Sequence, residues 1–149
     1  VCPPGSVKKY LAKISGPLLD RIDLHVEVTP VSYDELSNYQ YKSETSADIA
    51  KRVVRAREIQ DQRFSSFPGI FYNAQMPSKM VREVCQLTPA GITLLKSAMT
   101  KMQLSARAYD RILKVARTAA DLADSQDIKI EHLAEAIQYR NLDREGWAG

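Results

Sequence analysis

Leu104-Ser-Ala-Arg-Ala-Tyr-Asp-Arg-Ile-Leu-Lys-Val-Ala-Arg-Thr-Ala-Ala-Asp-Leu122 is the stretch whose reading decides the fold. Ser105 is a helix cap by residue type, a hydroxyl able to accept from an unpaired N–H of the first turn. Beyond it, Ala108, Ile112, Val115, Ala116, Ala119, Leu122 and Ala123 recur at helical spacing, which predicts the longest helix of the chain with one apolar stripe. Arg107, Arg111 and Lys114 fall on the opposite face. Arg107 lies in the first turn, where unsatisfied N–H groups and the helix dipole already make the surroundings positive. A cation is mildly unfavourable there unless an anion is shared between side chain and helix end, and a phosphate would satisfy both. The plainer reading is a solvated basic face, since Lys and Arg commonly line the outer side of helices.

Working outward, the flanking segments are helical as well. Thr45-Ser-Ala-Asp48 is a capping box opening a helix with Ile49, Val53 and Ala56 on one face, running towards Phe64 and ending before Ser65-Ser-Phe-Pro-Gly69. Residues 77–87 carry Met80, Val81, Val84 and Cys85 inward. Thr88-Pro89 sets a cap before proline at the first helical position, and Ile92, Leu95, Ala98 and Met99 continue that helix. A last helix, from about Glu131, presents Leu133, Ala134 and Ile137. The sum is a small helical bundle.

The chain's beginning reads differently. Ser6 can cap a short helix with Tyr10, Leu11 and Ile14 on one side, ended by Ser15-Gly16-Pro17. Ile22, Leu24, Val26 and Val28 then alternate with Asp23, His25 and Glu27, the period of a strand that Pro30 closes. A lone strand has nothing to satisfy its backbone, so residues 1 to about 30 read as the end of a truncated α/β core. Residues 31–43 are polar and aperiodic, a connector. The expected class is therefore mainly α: a bundle at 44–149 preceded by one strand left from a larger sheet. A first residue other than methionine fits a piece of something longer.

Arg21 stands at the entry to that strand, in Ser15-Gly-Pro-Leu-Leu-Asp-Arg-Ile-Asp-Leu24. Flanked by Asp20 and Asp23, it reads either as an exposed local ion pair or as a guanidinium presented to charge that builds during phosphoryl transfer. In the second reading the two aspartates orient it. No Gly-rich loop with its lysine is present to cradle a nucleotide.

Hydrophobic content of 44% and charged content of 26% are ordinary for a globular cytosolic chain, and no apolar run reaches membrane-spanning length. A net charge of +3 mildly favours an anionic partner without demanding nucleic acid. Cys2 and Cys85 make no disulfide framework. One cysteine cannot define a metal site, and Cys85 reads as a small core residue. His25 and His132, on separate elements without Cys or Asp at ligand spacing, read as structural or exposed, so no metal site is expected. Lys51, Arg52 and Arg55 share one side of their helix and, with Lys114, could meet a nucleic-acid backbone or a neighbouring subunit.

The segment around Arg21 resembles the arginine-finger motif of AAA+ ATPases related to magnesium chelatase subunit I and the minichromosome-maintenance helicases. Residues 104–122 resemble their sensor-2 helix. Over essentially the whole chain the similarity is greatest to the magnesium-chelatase-like ComM or YifB family. That resemblance implies rings, usually of six subunits, with ATP and magnesium at each junction. Arg21 would be the finger reaching into the neighbouring subunit's ATP. Arg107 would be the sensor arginine on the γ-phosphate, with Arg111 a weaker phosphate contact, and residues 44–149 would be the helical lid. The phosphate-binding loop would lie upstream, so this piece alone would be monomeric, bind no cofactor and hydrolyse nothing.

Three functions follow from these readings. The first is an ATP-driven motor on DNA that moves branched recombination intermediates. The second is a chelatase subunit driving magnesium into a porphyrin. The third, from another class, is a free-standing basic helical module that binds nucleic acid.

Overall fold

Three hydroxyls start helices of this protein and two left-handed turns stop them. The computed structural model describes residues 5, 6, 9, 13–26, 28–33, 37 and 43–140. Among these the chain forms α1 (Gly16–Leu19), α2 (Ser46–Phe64), a 3-10 turn (Asn73–Gln75), α3 (Ser78–Val84), α4 (Pro89–Lys101), α5 (Ala106–Leu122) and α6 (Ile130–Gln138). Thr45, Thr88 and Ser105 each cap as expected, their hydroxyls accepting from the backbone N–H of Asp48, Gly91 and Ala108. Thr45 also donates to the Asp48 carboxylate at 2.6 Å, and this bond, with Lys51, holds that carboxyl below its usual range.

The ends of α4 and α5 share one device. After α4, Gln103 takes φ 51° and Leu104 N–H returns to Met99 O at 3.1 Å. After α5, Asp124 takes the same φ, and Ser125 N–H returns to Ala120 O at 2.8 Å. Both are Schellman closures with a non-glycine residue in the left-handed position. The first is followed at once by Ser105, so the turn that ends α4 also aims the start of α5.

Helix α5 is the spine. It packs against α2, α3, α6 and the 3-10 turn, while α4 rests on α6. Ile112, Leu113, Ala116 and Ala120 meet Leu133 and Ala136 of α6, with Phe64, Met76, Met80, Val81, Cys85, Leu95 and Ile128 closing the core. A parallel bridge between Leu87 and Ile128 ties the loops before α4 and α6. Burial pushes the Cys85 thiol up to about 11, since a thiolate would lose its hydration there. His132 Nδ1 accepts from Lys129 N–H at 3.2 Å, so this histidine caps α6 from inside.

The faces differ from the expected ones in a consistent way. On α5 the buried residues are Ala108, Ile112, Leu113, Ala116, Arg117, Ala120 and Asp121, whereas Leu122 is exposed. On α2 the inward residues are Ala56, Gln60 and Phe64, while Ile49 and Val53 face solvent. On α4, Ile92 is exposed and Gly91 is buried. On α2 and α5 the stripe is rotated because polar residues, Gln60 on one and Arg117 and Asp121 on the other, occupy the inner face.

Those polar residues form one network. Arg63 of α2 forks onto both oxygens of Asp121, at 2.5 and 2.7 Å, and its Nη1 also donates to Asn73 Oδ1 at 2.9 Å. Arg117 Nε donates to Asp121 at 3.1 Å, and its other nitrogens donate to Ser125 O and Gln126 O at 2.6 and 2.7 Å. Asn73 Nδ2 donates to Asp121 and to Thr118, and Gln60 Oε1 accepts from Asn73 N–H. Asp121 is 1% exposed and Arg117 4%, so this charge is stable only while every partner is present.

The beginning of the chain departs from expectation. Tyr10 and Leu11, the expected apolar side of a first helix, lie outside the described residues, as does Glu27. Gly5, Ser6 and Lys9 are helical and residues 13–15 are not, while Gly16-Pro17 also open a helix of their own, with Leu18 N–H on Ser15 O at 2.9 Å. No described residue between 22 and 28 pairs as a strand. The physical reason is the one that made a single strand suspect: no neighbouring strand supplies a ladder. Tyr33 and Ser37, inside the expected connector, are helical.

Asp121→Ala is expected to destabilise the fold by about 3–5 kcal/mol in urea titration, because it leaves two guanidiniums uncompensated. Gln103→Gly, which relieves left-handed backbone strain, is expected to raise stability by about 1 kcal/mol in the same titration. Cys85 favours the protonated thiol in the folded state. Its contribution is complete below about 9 and declines as pH rises towards about 11. Labelling of Cys85 by a thiol reagent at pH 8 is therefore expected to follow global unfolding; rapid labelling of native protein would contradict the burial.

Candidate functional site

Arg107 owes its position to three local facts: the Gln103 closure, the Ser105 cap, and the start of α5 at Ala106. It sits in the first turn with its side chain exposed, and among the described residues no hydrogen bond or ion pair engages it. The helix under it is long and its dipole points positive end outward. A guanidinium in that place can share an anion with the helix end.

Arg21 follows α1 directly, its N–H closing a turn onto Leu18 O at 3.0 Å. Its side chain is exposed and its Nη1 donates to Pro17 O at 2.9 Å. That single bond steadies the guanidinium without neutralising it, and the remaining donors face outward. Neither arginine is locked in an internal carboxylate bridge.

Asp20 and Asp23 were expected to orient Arg21, and they do something else. Asp23 pairs with Arg111 of α5, and Asp20 lies 4.0 Å from Arg140, just past the end of α6. Arg140 is fully buried and donates to Ile22 O. His25, also buried, donates its N–H to Tyr139 O at 2.8 Å. The segment after Arg21 is thus fastened to the bundle by its backbone. Arg111, expected as a weaker phosphate contact, meets Asp23 instead. Lys114, expected on an outward face, is half-buried and donates to Ala74 O at 2.9 Å.

Between the segment and the bundle lies a cavity of about 270 Å³, lined by Asp23, Leu24, Ala74, Arg111, Lys114, Val115, Thr118, Ala119, Leu122, Glu135 and Tyr139. Tyr139 donates to Glu135 Oε1 at 3.2 Å, and burial together with that carboxylate pushes its phenol up.

The second basic group is locally balanced. Arg52 forks onto Glu44 at 2.6 and 3.0 Å, Lys51 lies 3.4 Å from Asp48, and Arg55 reaches Glu58 and Asp124 at 3.4 and 3.2 Å. These exposed pairs are worth little in stability, but they lower the positive potential available to a polyanion.

Sequence reasoning did not single out Arg140, or the Asp23–Arg111 pair, or the Arg63–Asn73–Asp121–Arg117 network. A signal existed only for Arg117 and Asp121, which stand four apart in register with Ala116 and Ala120.

Because Arg21 and Arg107 carry no structural contacts beyond Pro17, Arg21→Ala and Arg107→Ala are each expected to change stability by less than about 0.5 kcal/mol. Urea titration checks this; a large loss in either would show a structural role.

Residues 43–140 match the family described as magnesium chelatase, subunit ChlI C-terminal, and residues 1–36 match magnesium chelatase, subunit ChlI. The chain is 42% identical over 141 residues to the competence protein ComM of Haemophilus influenzae, covering 95% of this chain and 27% of that protein. It is 38% identical over 143 residues to YifB of Escherichia coli and 37% identical to YifB of Salmonella typhimurium, in each case covering 96% of this chain and 27% of the relative. The chain thus spans about a quarter of the length of these relatives. Among the described residues no helix is long and apolar enough to cross a membrane.

Proposed function

The chain belongs to the magnesium chelatase subunit ChlI family, and from that premise we propose that it is the C-terminal part of a ring-forming AAA+ ATPase. In this reading residues 1–30 end the nucleotide-binding core, 31–43 link, and 44–149 form the helical lid. The parent is an ATP hydrolase that works with magnesium in a ring of its own subunits in the cytoplasm. Arg21 is the arginine finger acting in trans, and Arg107 is the sensor-2 arginine.

The observation that carries this reading is the availability of both guanidiniums. Each sits on a rigid turn or helix end, exposed, with no carboxylate among the described residues taking up its charge. The fit to a terminal phosphate is chemical: planar donors match phosphate oxygens in pairs, and Arg107 stands at a helix N-terminus, where the dipole favours an anion.

The mechanism follows from where charge builds. As the bond to the leaving phosphate breaks, negative charge spreads over the transferred group. Arg21, presented from one subunit, offsets that charge at its neighbour's nucleotide. Arg107 makes its contact from the lid, so the lid's position tracks whether the terminal phosphate is present. Neither residue needs to exchange a proton, because a guanidinium stays charged throughout.

For the work done with that energy we propose an ATP-driven motor on DNA, of the branch-migrating kind. Similarity to a competence protein over 95% of the chain supports it over porphyrin metalation. Local pairing of Lys51, Arg52 and Arg55 weighs against a free-standing nucleic-acid module.

In the full-length protein, Arg21→Ala is expected to lower ATP turnover by about 10³-fold or more, the scale of a lost finger. Nucleotide binding, measured by fluorescence titration, should be largely retained. Wild-type turnover in that variant would refute the assignment. Stimulation of turnover by branched DNA would support the motor, and indifference to DNA would return the porphyrin reading to first place.

A further inference from the structure

The segment that carries Arg21 is held against α5 and α6, with Asp20 4.0 Å from Arg140. Three hydrogen bonds fasten it. Arg140, buried at the end of α6, donates to Ile22 O. Tyr139 O accepts from His25 N–H at 2.8 Å. Asp23 pairs with Arg111, and Arg111 stands four residues, about 6 Å of helix rise, after Arg107 on the same face of α5. Two backbone bonds set the height of the segment, and the Asp23–Arg111 pair sets its rotation about them.

We propose that Arg140 and the Asp23–Arg111 pair are positioning groups that join Arg21 and Arg107 into one moving body. This rests on the reading of those two arginines given above, and it adds a consequence. A lid movement sensed at Arg107 in one nucleotide site carries Arg21 with it into the neighbouring site. The link is direct, through a side-chain pair two residues from Arg21 and one helical turn from Arg107. The link enters the nucleotide-binding core only at its last segment, the one that carries Arg21.

The pair is suited to that task by its exposure. With Arg111 at 31% and Asp23 at 49% side-chain exposure, it is accessible and screened by salt. It contributes orientation more than stability. Arg140 supplies the permanent hold, because a buried guanidinium cannot leave its acceptors without losing compensation. Lys114, Glu135 and Tyr139, which line the same cavity, are engaged elsewhere or lie further along the helices.

The test uses full-length protein with Asp23→Asn and the exchanged pair Asp23→Arg/Arg111→Asp. Three quantities are measured: kcat and KM for ATP, hydrogen exchange of residues 20–26, and melting temperature. Asp23→Asn is expected to lower kcat by about three- to fivefold, the scale of an exposed pair, with KM for ATP and the melting temperature nearly unchanged. Exchange in residues 20–26 should quicken by a similar factor, and the exchanged pair should restore both quantities. Unchanged kcat and unchanged exchange in Asp23→Asn would overturn the proposal. So would an exchanged pair as defective as the single variant, or a change confined to melting temperature. Failure of the underlying reading appears differently: Arg21→Ala would then retain turnover while exchange in residues 20–26 still responded to Asp23→Asn.

Discussion

Asp121 is the constraint on which the bundle depends. A carboxylate with almost no exposure receives donors from α2, α5 and the 3-10 turn, and through Arg117 it also ties down the loop towards α6. Apolar packing around α5 is generous in small residues, with Ala108, Ala116 and Ala120 letting neighbouring helices come close. Close approach of that kind tolerates many rotations. A forked Arg63 and an amide that must meet the same carboxylate tolerate very few. The network therefore selects one arrangement of α2 and the 3-10 turn on α5, while the hydrophobic core provides most of the driving force.

From that fixed spine the rest follows in order along α5. Its C-terminal end is pinned by the network and by the Schellman closure at Asp124. Its middle, through Arg111 and Lys114, holds the early segment and Ala74. Its N-terminal end, aimed by the Gln103 turn and the Ser105 cap, leaves Arg107 in the open. The buried charges Arg117 and Asp121 lie about three and about four helical turns beyond the exposed Arg107. Structural and functional electrostatics therefore act on different parts of one element.

Family membership and this geometry bear on different questions. The matches at 43–140 and 1–36 say what kind of protein the chain is part of. They say nothing of how the two matched parts hold one another. That comes from Arg140 on Ile22 O, from Tyr139 on His25, and from Asp23 on Arg111, contacts that cross between the two matched segments.

Helix starts were legible because caps are local: a hydroxyl and the N–H three residues on belong to the same few residues, as at Thr45, Thr88 and Ser105. The exposure of Arg107 was legible for the same reason. The inner faces were read less well, since periodicity counts apolar residues and passes over Arg117 and Asp121, whose burial is stable only with partners 58 and 48 positions away at Arg63 and Asn73. Alternation at 22–28 did not mark the buried side: Ile22, Leu24, Val26 and Val28 are exposed and His25, placed on the polar side, is buried, because a strand is a property of two chains of backbone and no second one is present among the described residues. Asp20 and Asp23 looked like companions of Arg21 because sequence shows only neighbours in order. By itself, then, the sequence determined where helices begin, which residues are apolar, and which motif types the chain carries, all short-range matters. Only tertiary structure decided which charges are buried, which are engaged, and which face outward, because a carboxylate chooses among guanidiniums by distance in space.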